Sequence, residues 1–195
     1  MFGIGVIVGS IAKICMSLSL VDVVSKVIQA IGKALGIIKD EDEAGKLGDA
    51  ALQAEKEGIT PDKYSTFDEY KRALDNFKLD PDMSKSTSLE DKERKFIEIC
   101  ALGMKEQYPD LKVEEMLTLM DNNPKIFTKD GANTLGRLVV ENPSILNDIV
   151  GFVSGTGRDG QSLKKGMDAL VKVEMEQNPN LTEEDAIVAL YSKQQ

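Results

Sequence analysis

The 195-residue chain has no histidine and no tryptophan, and only two cysteines, six Phe and four Tyr. Each shortage excludes chemistry. Without histidine there is no Ser-His-Asp or Cys-His nucleophile system, no His-ligated metal, and no ordinary side-chain switch between about pH 5 and 8. Two cysteines build neither a four-thiolate zinc site nor a disulfide framework. Positive charge is also scarce, with 24 Lys plus Arg against 33 Asp plus Glu and a net charge of −9. Affinity for DNA or RNA rests on neutralising phosphates, so no nucleic-acid partner is expected.

What charge there is falls unevenly. Lys13, Lys26 and Lys33 against Asp22 leave residues 1–38 at +2, and therefore the other residues at −11. Of those first 38 residues 24 are apolar, against 42% for the whole chain. The composition changes at Lys39-Asp40-Glu41-Asp42-Glu43. This predicts two parts: an apolar N-terminal arm, 1–38, and an acidic helical body, 39–195.

Met1–Val21 carries one charged residue, Lys13, and its length suits a bilayer span. That lysine costs roughly 2.5–3.5 kcal/mol near a membrane centre, which weighs against spanning. The run lacks both the basic residue in front and the small-residue cleavage site behind that mark a secretory signal. Over Met1–Val8 the residues also fit strand-like alternation. Leu20–Ile38 reads as a helix opened by Ser19 with Asp22, its apolar residues recurring at three- and four-residue steps. Ile7, Ile14, Val21, Ile28 and Leu35 repeat every seven residues, as in a helix–helix seam, although flanking charge pairs are missing. Gly5-x-x-x-Gly9 and Gly32-x-x-x-Gly36 are small-residue notches of the kind that let helices cross closely. These nine residues are the candidate interaction residues. Three states of the arm follow: a buried helix pair in one core, membrane insertion or interfacial binding, or burial between self-assembled copies.

The body reads as a run of short helices. Glu43–Glu57 ends at Gly58, Thr66 with Glu69 opens Phe67–Phe77, and Ser88 with Asp91 opens the longest helix, to Gln107. Further helices are expected at 112–121, 129–141, 144–153, 162–177 and 183–193, punctuated by Asn-Pro pairs. A polar stretch near 79–88 is the candidate hinge. The predicted fold class is all-α, a bundle-like or orthogonal body of short helices with an apolar helical arm. Residues 106–115 and 176–185 share Glu, Gln, Pro, Leu and Glu at an offset of 70, each pairing a long helix, a Pro corner and a short helix with an acidic start.

Motifs for chemistry are incomplete. Gly155-Thr-Gly157-Arg-Asp-Gly160 matches G-x-G-x-x-G, and Ile149–Val153 before it is short enough for a strand. Too little chain follows to complete a dinucleotide-binding unit, so a Gly-rich turn explains it better. Asp40, Asp42, Gly45 and Leu47 resemble half of an EF-hand loop, but Ala51 stands where the bidentate Glu is needed. Cys15 and Cys100 lie in apolar helices, where thiols are inert. No catalytic residue, cofactor or metal is therefore expected. The expected function is a non-enzymatic structural or assembly protein, its arm docking into another copy or a larger particle, as a phage or injection-particle component does. It would sit in the cytoplasm or in the assembled particle. The alternatives are a membrane-associated helical protein acting through residues 1–38 and, last, a small carboxylate- or metal-dependent enzyme.

Overall fold

In the computed structural model, residues 4–157 and 159–194 are described, those of Ile4–Ile7 for their backbone alone. Among them there are eleven α-helices and no strand, so the fold is all-α. The helices are α1 (Ile4–Ser17), α2 (Val21–Ala34), α3 (Ala44–Lys56), α4 (Phe67–Asp75), α5 (Pro81–Ser86), α6 (Leu89–Gln107), α7 (Val113–Asn122), α8 (Ala132–Glu141), α9 (Ile145–Ser154), α10 (Gly160–Gln177) and α11 (Glu183–Lys193). A 3-10 turn at Pro61–Lys63 precedes α4.

The longest helix is the axis of the packing. From Lys95 to Met104 every residue of α6 is buried. A stretch buried on all sides must be covered on all sides, and α1, α2, α3, α4 and α7 do this. A second group forms around α10, which packs on α8, α9 and α11. Helix α2 joins the two groups, lying against both α6 and α8. One continuous apolar core runs from Ile11 in α1 to Leu190 in α11.

Caps explain several of the boundaries. Thr66, Ser88, Asp159 and Thr182 each accept the backbone N–H three residues on, satisfying a donor that the first helical turn leaves free. Gly36, Gly58 and Gly155 close α2, α3 and α9 with positive φ. At the end of α2, Ile37 N donates to Gly32 O at 2.8 Å and Gly36 N to Lys33 O at 3.1 Å, the paired bonds of a Schellman motif.

Four expectations are corrected. Strand-like alternation over Met1–Val8 gives way to helix from Ile4 onward, with Met1–Gly3 outside the described residues. The helix expected over Leu20–Ile38 ends at Ala34, because Gly36 turns the chain. Ser19 does not cap it, and the start at Leu20 has no side-chain cap of its own. The stretch near 79–88 is not all linker, for it holds α5, whose N-cap Asp80 accepts from Asp82 N at 2.8 Å and Met83 N at 3.2 Å.

Candidate functional site

The most unusual local arrangement is the corner between α1 and α2. A helix end leaves carbonyls unpaired at its C-terminus and amides unpaired at its N-terminus. Here the body supplies both sets of partners. Arg94 of α6 donates from Nη1 to Cys15 O at 2.8 Å, Leu18 O at 2.8 Å and Met16 O at 3.3 Å. Asp121 of α7 accepts from Ser19 N at 2.8 Å and from Leu20 N at 2.7 Å. A cation thus meets the negative end of one helix and an anion the positive end of the next. Asp22 pairs with Lys129, whose hydrogen bond holds the Asp22 carboxyl below its usual range.

Helix α6, on which α1 packs, also carries a charged cluster. Lys95 pairs with Glu98 at 3.0 Å and with Glu55 at 2.9 Å. Burial pushes the Glu98 carboxyl up, and the nearby Lys95 charge only partly offsets this. Burial also pushes the Cys15 thiol up to about 12, with the Glu98 charge adding to the effect, and raises the Cys100 thiol further. Neither thiol is a nucleophile near neutral pH.

Beside the corner lies an open groove of about 370 Å³ lined by Ile14, Glu114, Glu115, Thr118, Leu119, Ser154 and Thr156. Ile14 and Leu119 are half-buried there and form its apolar surface. A separate polar cleft of about 320 Å³ includes Asp110, Lys112, Asn147, Asp148 and Ser162. Its polar groups are engaged with one another: Asn147 accepts from Lys112 N at 3.0 Å, and Ser162 donates to Asp148.

The seven-residue series divides between these surroundings. Val21, Ile28 and Leu35 are buried in the core, and the partner of this part of the series is the body of the same chain. Ile14 faces the open groove. Ile7 lies in α1, its side chain outside the described residues, as do the surroundings of Gly5. Gly9 is exposed, and among the described residues nothing lies within 4 Å of where its Cβ would stand. Gly32 and Gly36 belong to the turn that ends α2, where a Cβ on Gly32 would meet Ile38. The close helix crossings occur at glycines with no such spacing signal. A Cβ on Gly48 would stand 1.8 Å from Lys92 O, and one on Gly166 would stand 2.2 Å from Asp148 O.

The partial motifs resolve into structure. Ile149–Val153 is helix, not the strand a dinucleotide fingerprint needs, and Gly155 ends that helix. Asp42 of the EF-hand-like stretch accepts from Lys39 N at 2.8 Å and pairs with buried Lys71 at 3.0 Å. Among the described residues no three acidic or thiol side chains gather as a ligand set. The two Pro corners share one geometry. Tyr108 N donates to Met104 O and Leu111 N to Tyr108 O, and Asn178 N donates to Glu174 O and Leu181 N to Asn178 O. Nothing in the sequence pointed to Arg94 or Asp121, because their partners are 76 and 102 residues away.

The class that fold and site define is an all-α protein with a clasped N-terminal helix beside an apolar groove. No family model, no curated protein and no solved structure matches the chain.

Proposed function

We propose that this is a non-enzymatic structural or assembly protein that docks through the N-terminal part of its apolar arm, with a second copy of the chain as the partner. The open groove beside α1 carries the reading. Ile14 and Leu119 hold apolar surface in water there, and covering it on association is favourable. Met16, on another side of the same helix, is 79% exposed. Lys13, the one charged residue of α1, would meet an acidic body at −11 in a second copy. The raised, buried thiols and the absence of histidine remove the cysteine and histidine routes to catalysis.

Sedimentation velocity of the full chain across a concentration series tests this. Reversible self-association that weakens in Ile14→Gln and at high salt is the expected result. A compact monomer at every concentration removes the reading. Among the described residues no helix is long and apolar enough to cross a membrane. Interfacial binding is the other reading of the same surface. Co-flotation of a monomeric chain with anionic vesicles, lost in Ile14→Gln, would replace assembly with it.

A further inference from the structure

We infer that the outer face of α11 is a self-pairing surface, on which α11 of a second copy lies antiparallel with a two-fold axis near Val188. This surface shares no residue with the groove beside α1 and does not depend on the docking proposed there.

Three observations point to it. First, apolar surface lies open there. Val188 is 69% and Tyr191 48% exposed, and at i and i+3 they are neighbours on the helix. The Tyr191 ring meets half-buried Phe152 of α9 edge-on, with 6.0 Å between centroids. The Tyr191 hydroxyl donates to the sulfur of half-buried Met167 of α10 at 3.8 Å. Three helices thus build one apolar patch, and covering it on association is favourable. Second, the equivalent face of α7 is covered within the chain. The α6–α7 and α10–α11 units share their corner geometry. Leu117 and Met120 of α7 are fully buried, with α1, α2 and α9 packed against that helix in addition to α6. At the matching positions of α11, Leu190 is buried but Ile187 only half-buried, because α11 packs mainly on α10. Among the described residues α11 lacks the cover that α7 finds in its own chain. Third, the polar groups of the outer face complement one another when the helix is reversed. Glu183, Glu184 and Asp185 occupy the first turn, and Tyr191, Ser192 and Lys193 end the helix. Parallel pairing would set carboxylates against carboxylates. Antiparallel pairing about Val188 sets Glu184 of each copy beside Tyr191 of the other, and the acidic turn of each nearest the Lys193 end of the other. The Tyr191 hydroxyl then exchanges a thioether, a weak acceptor, for a carboxylate. Such a two-fold contact is self-complementary and closes on itself. It uses one short helix from each copy, so the dimer is weak and reversible.

Sedimentation velocity of the full-length Ile14→Gln variant, in which groove docking is weakened, isolates the α11 pair, and a reversible dimer is the expected result. Adding Val188→Glu places two carboxylates at the axis and should raise the dissociation constant at least about tenfold. The circular dichroism spectrum should not change, because Val188 is exposed. Val188→Cys in the full chain tests the axis itself. Cys15 and Cys100 are buried, so the introduced thiol is the one open to mild oxidation. A disulfide-linked dimer should form at least about fivefold faster than from Val140→Cys, at a similarly exposed position of α8. A monomer at every concentration in Ile14→Gln, a dimer that Val188→Glu leaves unchanged, or equal oxidation rates for the two cysteine variants each overturn the α11 pair. So does co-flotation of monomeric Ile14→Gln with vesicles that Val188→Glu abolishes, which would put a lipid surface in place of the second copy. Failure of the groove docking shows separately, as self-association that Ile14→Gln does not weaken.

Discussion

At the scale of single residues, two kinds of glycine can be told apart by what surrounds them. Gly48 sits where α3 crosses α6, and a methyl group there would overlap the Lys92 carbonyl. The helices must move apart to admit it. Gly48→Ala is expected to lose about 1–3 kcal/mol or more, the usual range for overpacking. Gly9 has open space around it within a helix, so Gly9→Ala is expected to gain about 0.5–1 kcal/mol from helix propensity. Urea-unfolding midpoints of the two variants should move in opposite directions. Glu98 makes a different kind of prediction. Its carboxyl is raised above its ordinary 4.5 by burial. An acid with a raised pKa binds its proton more tightly when folded, so its contribution to stability is greatest below 4.5 and is lost as the pH rises through the folded value. The stability of the unmodified chain relative to Glu98→Gln should therefore increase as the pH falls from neutrality toward 4.5, read as the difference in urea midpoints. Asp49 has the opposite sign. Burial raises it, but hydrogen bonds from Ser84, Gln53 and Lys92 outweigh that and hold it low, so its contribution fails only in strong acid.

At the scale of elements, the helices whose ends are set by local chemistry were legible in the sequence. Thr66, Ser88 and Gly58 signal within four residues of the bonds they make, and the Pro corners after α6 and α10 do the same. The corner between α1 and α2 was not legible, because its caps arrive from α6 and α7 through tertiary folding. Ser19 resembles a cap in one dimension and is an acceptor's partner in three. The variants Asp121→Ala and Ser19→Ala separate the two accounts. Removing Asp121 leaves two amides without their acceptor and should cost about 1–2 kcal/mol. Removing the Ser19 hydroxyl should cost no more than a few tenths, judged by thermal unfolding at one pH. The short helix α5 was hidden for a related reason. It buries no residue, and it is held by Gln53, which accepts from Asp80 N at 2.8 Å and donates to Ser84 Oγ at 3.0 Å. Replacing Gln53 by Ala should free this strap, and limited trypsin digestion should then cut after Lys85 well before the rest of the chain.

At the scale of the whole molecule, composition and packing divide the chain at different places. The change of composition at residues 39–43 is real, yet α2 on one side of it fills the space between α6 and α8 on the other. Hydropathy records how apolar a segment is and carries no information about which segment covers it. A periodic stripe therefore announced that Val21, Ile28 and Leu35 would be buried, without saying in what. The difference has a measurable consequence. Residues Val21, Val24, Val27, Ile28, Ile31, Leu35, Ile37 and Ile38 are all buried. At about 1.5–3 kcal/mol for each full burial, removing them forfeits more than about 10 kcal/mol, against a typical total stability of about 5–15 kcal/mol. A fragment of residues 39–195 is thus expected to give a largely unfolded far-UV circular dichroism spectrum with no cooperative melt. A chain lacking only residues 1–17 loses α1 and the groove's Ile14 but keeps every contact of α2 with the body. It should retain a helical spectrum and a cooperative transition at lower temperature. If the 39–195 fragment instead melts cooperatively, the arm is a separate unit, and the composition boundary is also the boundary of the fold.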